Sequence, residues 1–468
     1  MIDATSRSTK SWVLALTGLA SFMVALDTLV VTTALKTIRA DLGASIEALE
    51  WTLNAFTLAF AVLLMSGAGL GDRFGRRRVF VAGIAVFVAA SAAAALAPSI
   101  GWLIAARAVQ GAGAALIMPV GMALLSAAFP PAERGRALGI FSGLTGLALI
   151  AGPVVGGAVA EGLTWQWIFW LNVPIGLVAM PLALRRIPES LGPRAPLDVP
   201  GLLLVGGGAL GVVWGLARAN SVGWASAEVA AALAVGFVLI AAFVLWERRA
   251  RAPMVPPRFF RSRVFAAGNA AAFFFHAALY GTLFFMAQYL ATAGGYGPLG
   301  AGLRLLPWTA TLFVVAPAAG ALVNRLGERP LVVAGLFFQA VGIAWLALLA
   351  GRGFAYDALV VPLVLAGAGV SAAMPAAQNA VLGAVAPTEL GKASGTYNML
   401  RFIGGAFGVA VQAAVFAAAG GLGSTAAFGE GFAASLDVAA VLSLAGSLAG
   451  LGLKGRRAPS MVAVRQAG

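Results

Sequence analysis

The sequence predicts an all-α polytopic membrane protein with fourteen spanning helices. Of its 468 residues, 61% are hydrophobic and 10% are charged, and the mean hydropathy is +0.94. A soluble domain carries about 25% charged residues. Apolar runs of about 20 residues, the length that crosses a bilayer, recur along the whole chain. Motifs of the first part also recur in the second, in the same order.

The spans follow from dividing the chain at charged, proline-containing and glycine-rich loops. The N-terminal apolar run continues to about residue 34 and another run follows, so we interpret it as a membrane helix rather than a signal peptide. The predicted spans are 12–34, 48–70, 79–97, 101–125, 137–160, 167–184, 199–217, 226–246, 264–290, 300–323, 330–350, 357–385, 391–419 and 433–453.

Lysine and arginine orient the chain in the membrane. They concentrate in the loops on the side of the termini, above all in the hairpin at 71–80 and the loop at 247–263. The opposite side carries only Lys36, Arg39, Arg218 and Arg352. Because cytoplasmic loops carry the excess of basic residues, we expect both termini to be cytoplasmic.

The composition also excludes several functions. The net charge of +14 is spread over short loops rather than gathered in one arm or groove, which argues against a nucleic-acid partner. The chain has no cysteine and one histidine, and only Asp27 is expected to be an acidic residue well inside a span. We therefore expect no catalytic site, metal or cofactor. GKAS at 391–394 does not match a phosphate-binding loop, so a proton gradient is the expected energy source.

The internal repeat relates the first six spans to the last six. LIAARAVQGAGAALIMP (103–119) has a counterpart in LVLAGAGVSAAMP (363–375), and GDRFGRRRVFVAG (71–83) has one in VNRLGERPLVVAG (323–335). Two halves in parallel orientation can rock about a central cavity, an architecture for alternating access. The expected parts are a six-helix bundle at 1–190, an inserted helix pair at 191–250, a second six-helix bundle at 251–455 and a cytoplasmic tail at 456–468.

Several of these motifs resemble those of one family. The motifs are LDTLVVTTAL (26–35), GDRFGRRR (71–78), RAVQGAGAALIMP (107–119), AGPVVGG (151–157) and WQWIFWLNVPIG (165–176). In this order they resemble the major facilitator superfamily and, with fourteen helices, its drug:proton antiporter branch. The resemblance implies the major facilitator fold, with two six-helix bundles and two extra central helices. Ala68, Ala148 and Asn324 depart from the family or repeat pattern.

The resemblance assigns a gating role to the hairpin. Its candidate residues are Asp72, Arg73, Gly75, Arg76 and Arg77. The arginines hold the hairpin on the cytoplasmic side and the glycine permits a tight turn. By resemblance, Asp72 contacts the start of the thirteenth span, at 391–392, and latches the cytoplasmic side shut. The alternative is a basic loop that only sets topology.

Asp27 and Arg107 are the candidates for proton coupling. Both lie inside spans at similar depths, ~12 and ~9 Å from the same end at ~1.5 Å per residue, so we expect them to pair. A carboxylate that alternates between paired and unpaired states can bind and release a proton. Asp27 is thus the expected protonation site and Arg107 its modulator. A static pair that only orders the bundle is the alternative.

The export direction rests on resemblance. AGPVVGG supplies the residues of the family's antiporter motif: Gly152, Pro153, Gly156 and Gly157. Small residues four apart let helices approach closely, and in the family this stretch marks exporters. Ordinary helix packing is compatible with the same residues.

We expect a central cavity lined by apolar side chains and scattered donors. The candidates are Met23, Asn54, Thr57, Met118, Phe275, His276, Tyr280, Gln288, Trp308, Gln378, Tyr397, Asn398 and Arg401. Aromatic and methionine side chains suit varied hydrophobic ligands. His276 is either a second proton carrier or a packing residue. Arg401 could attract an anionic substrate, pair with Asp27, or serve gating.

The expected function is proton-coupled efflux of hydrophobic or amphiphilic small molecules, such as a drug, antiseptic or antibiotic, across a bacterial inner membrane. The expected partners are the substrate, protons and the lipid bilayer, and the chain is expected to be monomeric. A lipid or metabolite exporter of the same fold is one alternative. A non-transporting membrane sensor or scaffold is another.

Overall fold

In a computed structural model, the chain is a bundle of α-helices. The structure describes residues 7–192, 196–350, 356–386, 389–421 and 424–454, and no strand occurs in these ranges. The helices are α1 (Arg7–Leu42), α2 (Ile46–Phe74), α3 (Arg76–Ala95), α4 (Ile100–Ala128), α5 (Pro131–Gly162), α6 (Trp167–Trp170), α7 (Asn172–Arg186), α8 (Val199–Val222), α9 (Ala227–Arg249), α10 (Arg263–Thr292), α11 (Pro298–Arg304), α12 (Leu306–Thr309), α13 (Thr311–Leu326), α14 (Glu328–Ala350), α15 (Tyr356–Gly383), α16 (Leu390–Ala419) and α17 (Thr425–Gly450).

Each predicted span has a counterpart among these helices. Helices α6 and α7 together form the sixth span, and α11 to α13 form the tenth. Within the described residues, thirteen segments are long and apolar enough to cross a membrane. Helix α5 occupies the position of the remaining span, but many of its side chains lie outside the described part. The count of fourteen, the four-part division and the cytoplasmic termini therefore stay predictions.

The helix boundaries follow from local sequence. Ser45, Ser99, Ser226, Ser262 and Ser424 each cap a helix, because the hydroxyl oxygen accepts a hydrogen bond from a backbone N–H of the first turn. The cap at 424 starts α17 well before the predicted residue 433. Apolar periodicity alone underestimated this helix, which begins with the polar and small residues of TAAFGEG.

The repeat seen in the sequence recurs in the backbone. Gly75 ends α2 at φ 107° and Gly327 ends α13 at φ 83°, both in the region that favours glycine. Each lies between an arginine-containing helix end and the start of the next helix. The predicted glycine turn is therefore present in both halves.

Hydrogen bonds connect the halves, α1–α7 and α10–α17, at one membrane face. We call the face where α1 begins the terminal face and the opposite one the far face. At the far face, Lys36 Nζ donates to the carbonyl of Ala291 (2.7 Å), and the backbone N–H of Leu299 donates to Glu161 Oε2 (2.9 Å). At the terminal face, the Lys10–Glu133 ion pair (2.9 Å) lies within the first half. Toward the terminal face the halves also pack closely, because a Cβ on Gly395 of α16 would lie 2.1 Å from Met65 Sδ on α2. Hydrogen bonds between described residues of the two halves thus lie at the far face, while side-chain packing continues toward the terminal face.

The inserted pair lies at the seam between the halves. Helix α8 packs against α2 of the first half and α16 of the second, and α9 covers α8 from the outside. Lys392 on α16 donates to the carbonyl of Pro253, in the segment that follows α9 (3.0 Å). The pair thus contacts both halves.

Candidate functional site

A buried ion pair lies at the centre of the first half. Arg107 on α4 donates from Nη1 to Asp27 Oδ2 on α1, and both side chains are fully buried. The structure therefore brings together the two residues that the depth argument paired.

Asp27 receives two further hydrogen bonds. Gln110 Nε2 on α4 (2.8 Å) and Asn172 Nδ2 on α7 (3.0 Å) both donate to Asp27 Oδ1. Both amides also donate to the hydroxyl oxygen of Ser91 on α3, at 2.8 and 3.3 Å. Three donors stabilise the charged carboxylate in this conformation. The network around Asp27 thus joins four helices, α1, α3, α4 and α7.

Arg107 is anchored on its other side by backbone and aromatic groups. Its Nε donates to the carbonyl of Thr52 on α2 (3.0 Å), and its Nη1 also donates to Gln110 Oε1 (2.7 Å). The guanidinium lies 4.3 Å from the ring centroid of Phe56, a cation–π contact. Its Nη2 is buried without a partner. One donor group therefore stays free for another acceptor if the pair rearranges.

Sequence reasoning missed the supporting amides. Gln110 lies in RAVQGAGAALIMP (107–119) and Asn172 in WQWIFWLNVPIG (165–176). The glycine and tryptophan residues of these motifs, rather than the amides, are their most conspicuous feature. Gln110 and Asn172 are each an amide within a membrane span, and such a side chain needs a buried partner. That is the signal that could have revealed them.

Asp27 is not the only buried acidic residue among the described helices. Glu50 on α2 is 1% exposed, and its Oε1 accepts a hydrogen bond from Asn54 Nδ2 (2.9 Å). Helix α2 begins at Ile46, so Glu50 lies in its second turn. Glu50 is therefore buried at a position that the sequence places at the edge of a span.

The hairpin residues contact their own half. Asp72 Oδ1 accepts from Arg76 Nε (2.8 Å), and the Asp72 backbone carbonyl accepts from the N–H of Gly192 (3.1 Å). Arg77 donates from its backbone N–H to Glu189 Oε1 (2.9 Å) and from Nη1 to two carbonyls at the end of α7. Arg73 is exposed. The hairpin is thus pinned to the segment that follows α7.

The expected contact between Asp72 and the start of α16 is not formed among the described residues in this conformation. Asp72 is instead paired with Arg76, one turn away, and the hydrogen bonds that connect the halves lie at the opposite face. The latch role stays a prediction for a conformation closed at the terminal face.

The glycines of AGPVVGG lie where α5 crosses two helices. A Cβ on Gly156 would lie 2.6 Å from the carbonyl oxygen of Val30 on α1, one turn beyond Asp27. A Cβ on Gly157 would lie 2.4 Å from the carbonyl oxygen of Pro298 on α11, in the other half. Gly152 is buried, and the side chain of Pro153 lies outside the described part. The two described contacts allow close approach at the far face.

A cavity of about 70 Å³ lies against the second half, and four of the expected lining residues border it: His276, Tyr280, Trp308 and Arg401. Thr309 on α12 and Ser371 and Met374 on α15 also line it. The position of Arg401 at this cavity, with Asp27 paired to Arg107, excludes the proposed Asp27–Arg401 pair in this conformation.

His276 and Arg401 both have unpaired buried nitrogen atoms. His276 Nδ1 lies 2.8 Å from the carbonyl of Ala272. Because a carbonyl only accepts, Nδ1 carries the proton and Nε2 is an acceptor in the neutral ring. That Nε2 is buried without a partner, as is Nε of Arg401. The site thus offers one acceptor and one charged donor.

The other expected lining residues do not border this cavity. Phe275 and Tyr397 pack in the core of the second half, and Met23 packs in that of the first with Met118 at its edge. Thr57, Gln288 and Asn398 bond to backbone carbonyls within their own helices. Gln378 is half-buried. Helical periodicity gives the inward face of a span but not which inward residues meet a neighbouring helix.

Comparison with known proteins identifies the family. The sequence matches the Major Facilitator Superfamily over residues 17–409, and again over 268–466. The chain belongs to this superfamily. It is a multi-pass membrane transporter rather than an enzyme.

Two relatives and one solved structure illustrate the similarity. The chain is 35% identical over 399 residues to the tetracenomycin C resistance and export protein of Streptomyces glaucescens, covering 84% of this chain and 74% of that protein. It is 37% identical over 416 residues to the cephamycin export protein CmcT of Amycolatopsis lactamdurans, covering 87% and 85%. A POT family transporter in complex with a thioalcohol-conjugated peptide superposes with a TM-score of 0.71 at 14% identity, covering 93% and 94%. The last likeness concerns the fold alone.

Proposed function

We propose that the chain is a proton-coupled exporter of hydrophobic or amphiphilic small molecules in a bacterial inner membrane. Asp27 is the protonation site and Arg107 modulates it. The observation that carries the proposal is the buried Asp27–Arg107 pair, held by amides from two helices beside the crossing of α1 and α5. The names of the relatives, which export tetracenomycin C and cephamycin, support the direction and the class of cargo.

The proton step follows from the geometry of the pair. In the present conformation, all donors around Asp27 favour its charged form. Separation of the halves at the far face would loosen α1 and α5 and admit water to Asp27. Protonation removes the negative charge of Asp27 and so weakens its attraction for Arg107. The guanidinium, whose Nη2 has no partner in the present conformation, then donates to a different acceptor. Return to the present conformation restores the pair and releases the proton toward the terminal face.

The cavity at His276 and Arg401 has a volume of about 70 Å³, below the ~300–1,000 Å³ of a typical small-molecule pocket, so it indicates the chemistry of one group of the substrate. A guanidinium repels cations and donates to carbonyl or phenolate oxygens, while His276 Nε2 accepts from a hydroxyl. The remaining lining is apolar or aromatic apart from the hydroxyl residues Thr309 and Ser371. The fitting substrate is therefore a neutral or weakly acidic compound that carries hydroxyl and carbonyl groups on an apolar frame.

Proton movement in proteoliposomes tests this function. Neutral hydroxy-carbonyl compounds, hydrophobic cations and a labelled phospholipid are added to wild type, Asp27→Asn and the control Asp437→Asn, and lumenal pH and compound are both followed. Asp437 also lies in a spanning helix but is exposed. We expect coupled movement of the neutral compounds and protons in wild type and control, and none in Asp27→Asn.

Other results would contradict defined parts of the proposal. Equal proton movement in wild type and Asp27→Asn would make Asp27 structural. Transport of the phospholipid alone would favour the lipid exporter. No movement of any compound would favour a sensor or scaffold.

A further inference from the structure

A long groove runs between α4 and α8, with α2 as its floor. Its volume is about 1070 Å³, slightly above the ~300–1,000 Å³ typical of small-molecule pockets. Its lining extends along α8 from Leu202 to Arg218, which is roughly 24 Å at ~1.5 Å per residue. This length approaches the ~30 Å thickness of the hydrocarbon core.

Small side chains keep the groove open. Ala59 on α2, Ala105 and Ala108 on α4, and Gly206 on α8 line it, and Leu203 on its rim is 68% exposed. A space of this size among helices in a membrane is filled, because an empty one forfeits the dispersion contacts of its walls. An apolar trough open to the bilayer fits a lipid acyl chain.

The far end of the groove is polar and charged. Arg218 on α8 donates from Nε to Glu228 Oε1 on α9 (2.9 Å) and from Nη1 to Glu47 Oε1 on α2 (3.5 Å). Trp214 donates from Nε1 to Glu228 Oε1 (3.3 Å), and its ring lies 5.6 Å from that of Trp51 in the floor. All three charged side chains are partly exposed. Tryptophan at this position is typical of the membrane interface.

We propose that this groove holds a zwitterionic aminophospholipid of the far leaflet, such as phosphatidylethanolamine. An acyl chain lies along the trough, the phosphate meets Arg218, and the ammonium meets Glu47 and Glu228. One guanidinium between two carboxylates complements a headgroup that carries both charges. An anionic headgroup such as phosphatidylglycerol supplies the phosphate but no cation, and the two carboxylates repel it.

The site also gives the inserted helix pair a role. Helix α8 contacts α16 on its other side, so the lipid completes a wall at the seam where the halves meet. This inference depends on the groove and its charges and is independent of the proposed cargo and proton site.

The proposal is tested by native mass spectrometry of the full chain. The protein is extracted from nanodiscs that contain equal amounts of phosphatidylethanolamine and phosphatidylglycerol. We expect wild type to retain one phosphatidylethanolamine under conditions that strip other lipids. Ala105→Phe, which fills the groove, is expected to lose it. Ala234→Phe on the exposed face of α9 is the matched control and is expected to keep it.

The headgroup contact is tested separately. Arg218→Gln leaves the groove unfilled and is expected to lose the preference for phosphatidylethanolamine over phosphatidylglycerol. Equal retention of the two lipids by wild type would overturn the headgroup assignment. Unchanged lipid retention in Ala105→Phe, or displacement of the lipid by a neutral hydrophobic compound that then occupies the groove, would overturn the site.

Discussion

Replacing Asp27 by asparagine is expected to destabilise the folded chain far more than replacing Glu50 by glutamine. Both changes convert a fully buried carboxylate into an amide of nearly the same shape. They differ in the charge left behind, because Asp27 neutralises Arg107 whereas Glu50 accepts only from the Asn54 amide. The comparison therefore isolates the electrostatic part of the network.

The magnitude follows from the contacts of Arg107. Removing one partner of a buried pair costs ~3–5 kcal/mol, because the other charge stays buried and uncompensated. The Phe56 ring at 4.3 Å, a contact worth ~2 kcal/mol, faces the guanidinium in wild type and variant alike and so does not reduce this loss. In Glu50→Gln the amide oxygen still accepts from Asn54, so we expect a loss of about 1 kcal/mol or less.

Unfolding of the purified protein by denaturing detergent measures the loss of stability in Asp27→Asn and in Glu50→Gln. Arg107→Met and the double variant Asp27→Asn/Arg107→Met complete a double-mutant cycle for the ion pair. We expect the double variant to be more stable than Asp27→Asn alone, since it removes the stranded charge. Equal losses for Asp27→Asn and Glu50→Gln, or strictly additive effects in the cycle, would refute the reasoning.

Three further predictions concern helix packing, a turn and a cap. Gly157→Val places its side chain against a carbonyl of α11 and is expected to push α5 and α11 apart, which spin labels on the two helices at the far face would show as a longer distance. In the control Gly162→Val, the Cβ of the new side chain has no neighbouring atom within 4 Å, and the distance is expected to stay unchanged. Gly75→Ala, at φ 107°, is expected to lower the unfolding temperature more than Gly43→Ala at φ 60°; equal shifts would contradict this. Partial burial raises the pKa of Asp198, but hydrogen bonds from Gly201 and other donors outweigh it and bring that pKa below 3.8. The stability that Asp198 contributes is therefore present above pH 3.8 and is lost as the pH falls through the lowered pKa. Asp198→Asn should cost stability at pH 7, and this cost should shrink steadily as the pH is lowered below 3.8, as unfolding measured over that range would show.

Much of the fold could be predicted because bilayer thickness and hydrocarbon chemistry constrain each span separately. Apolar length placed the helices, and the glycine of the hairpin at 71–80 predicted a turn that recurs at Gly327. The Asp27–Arg107 pair was predictable for a similar reason. Charges are so costly in a membrane that two opposite ones at matching depth are expected to meet.

What the sequence by itself determined, then, was the helical class, the repeat, the family motifs and the central pair, all of which depend on local composition or spacing. Only the tertiary structure decided the burial of Glu50, the pairing of Asp72 with its own half, and the placing of Gln110 and Asn172 around Asp27. The groove between α4 and α8 also belongs to this second group. Each depends on how far one helix stands from another, and that distance is set by contacts between residues remote in the chain.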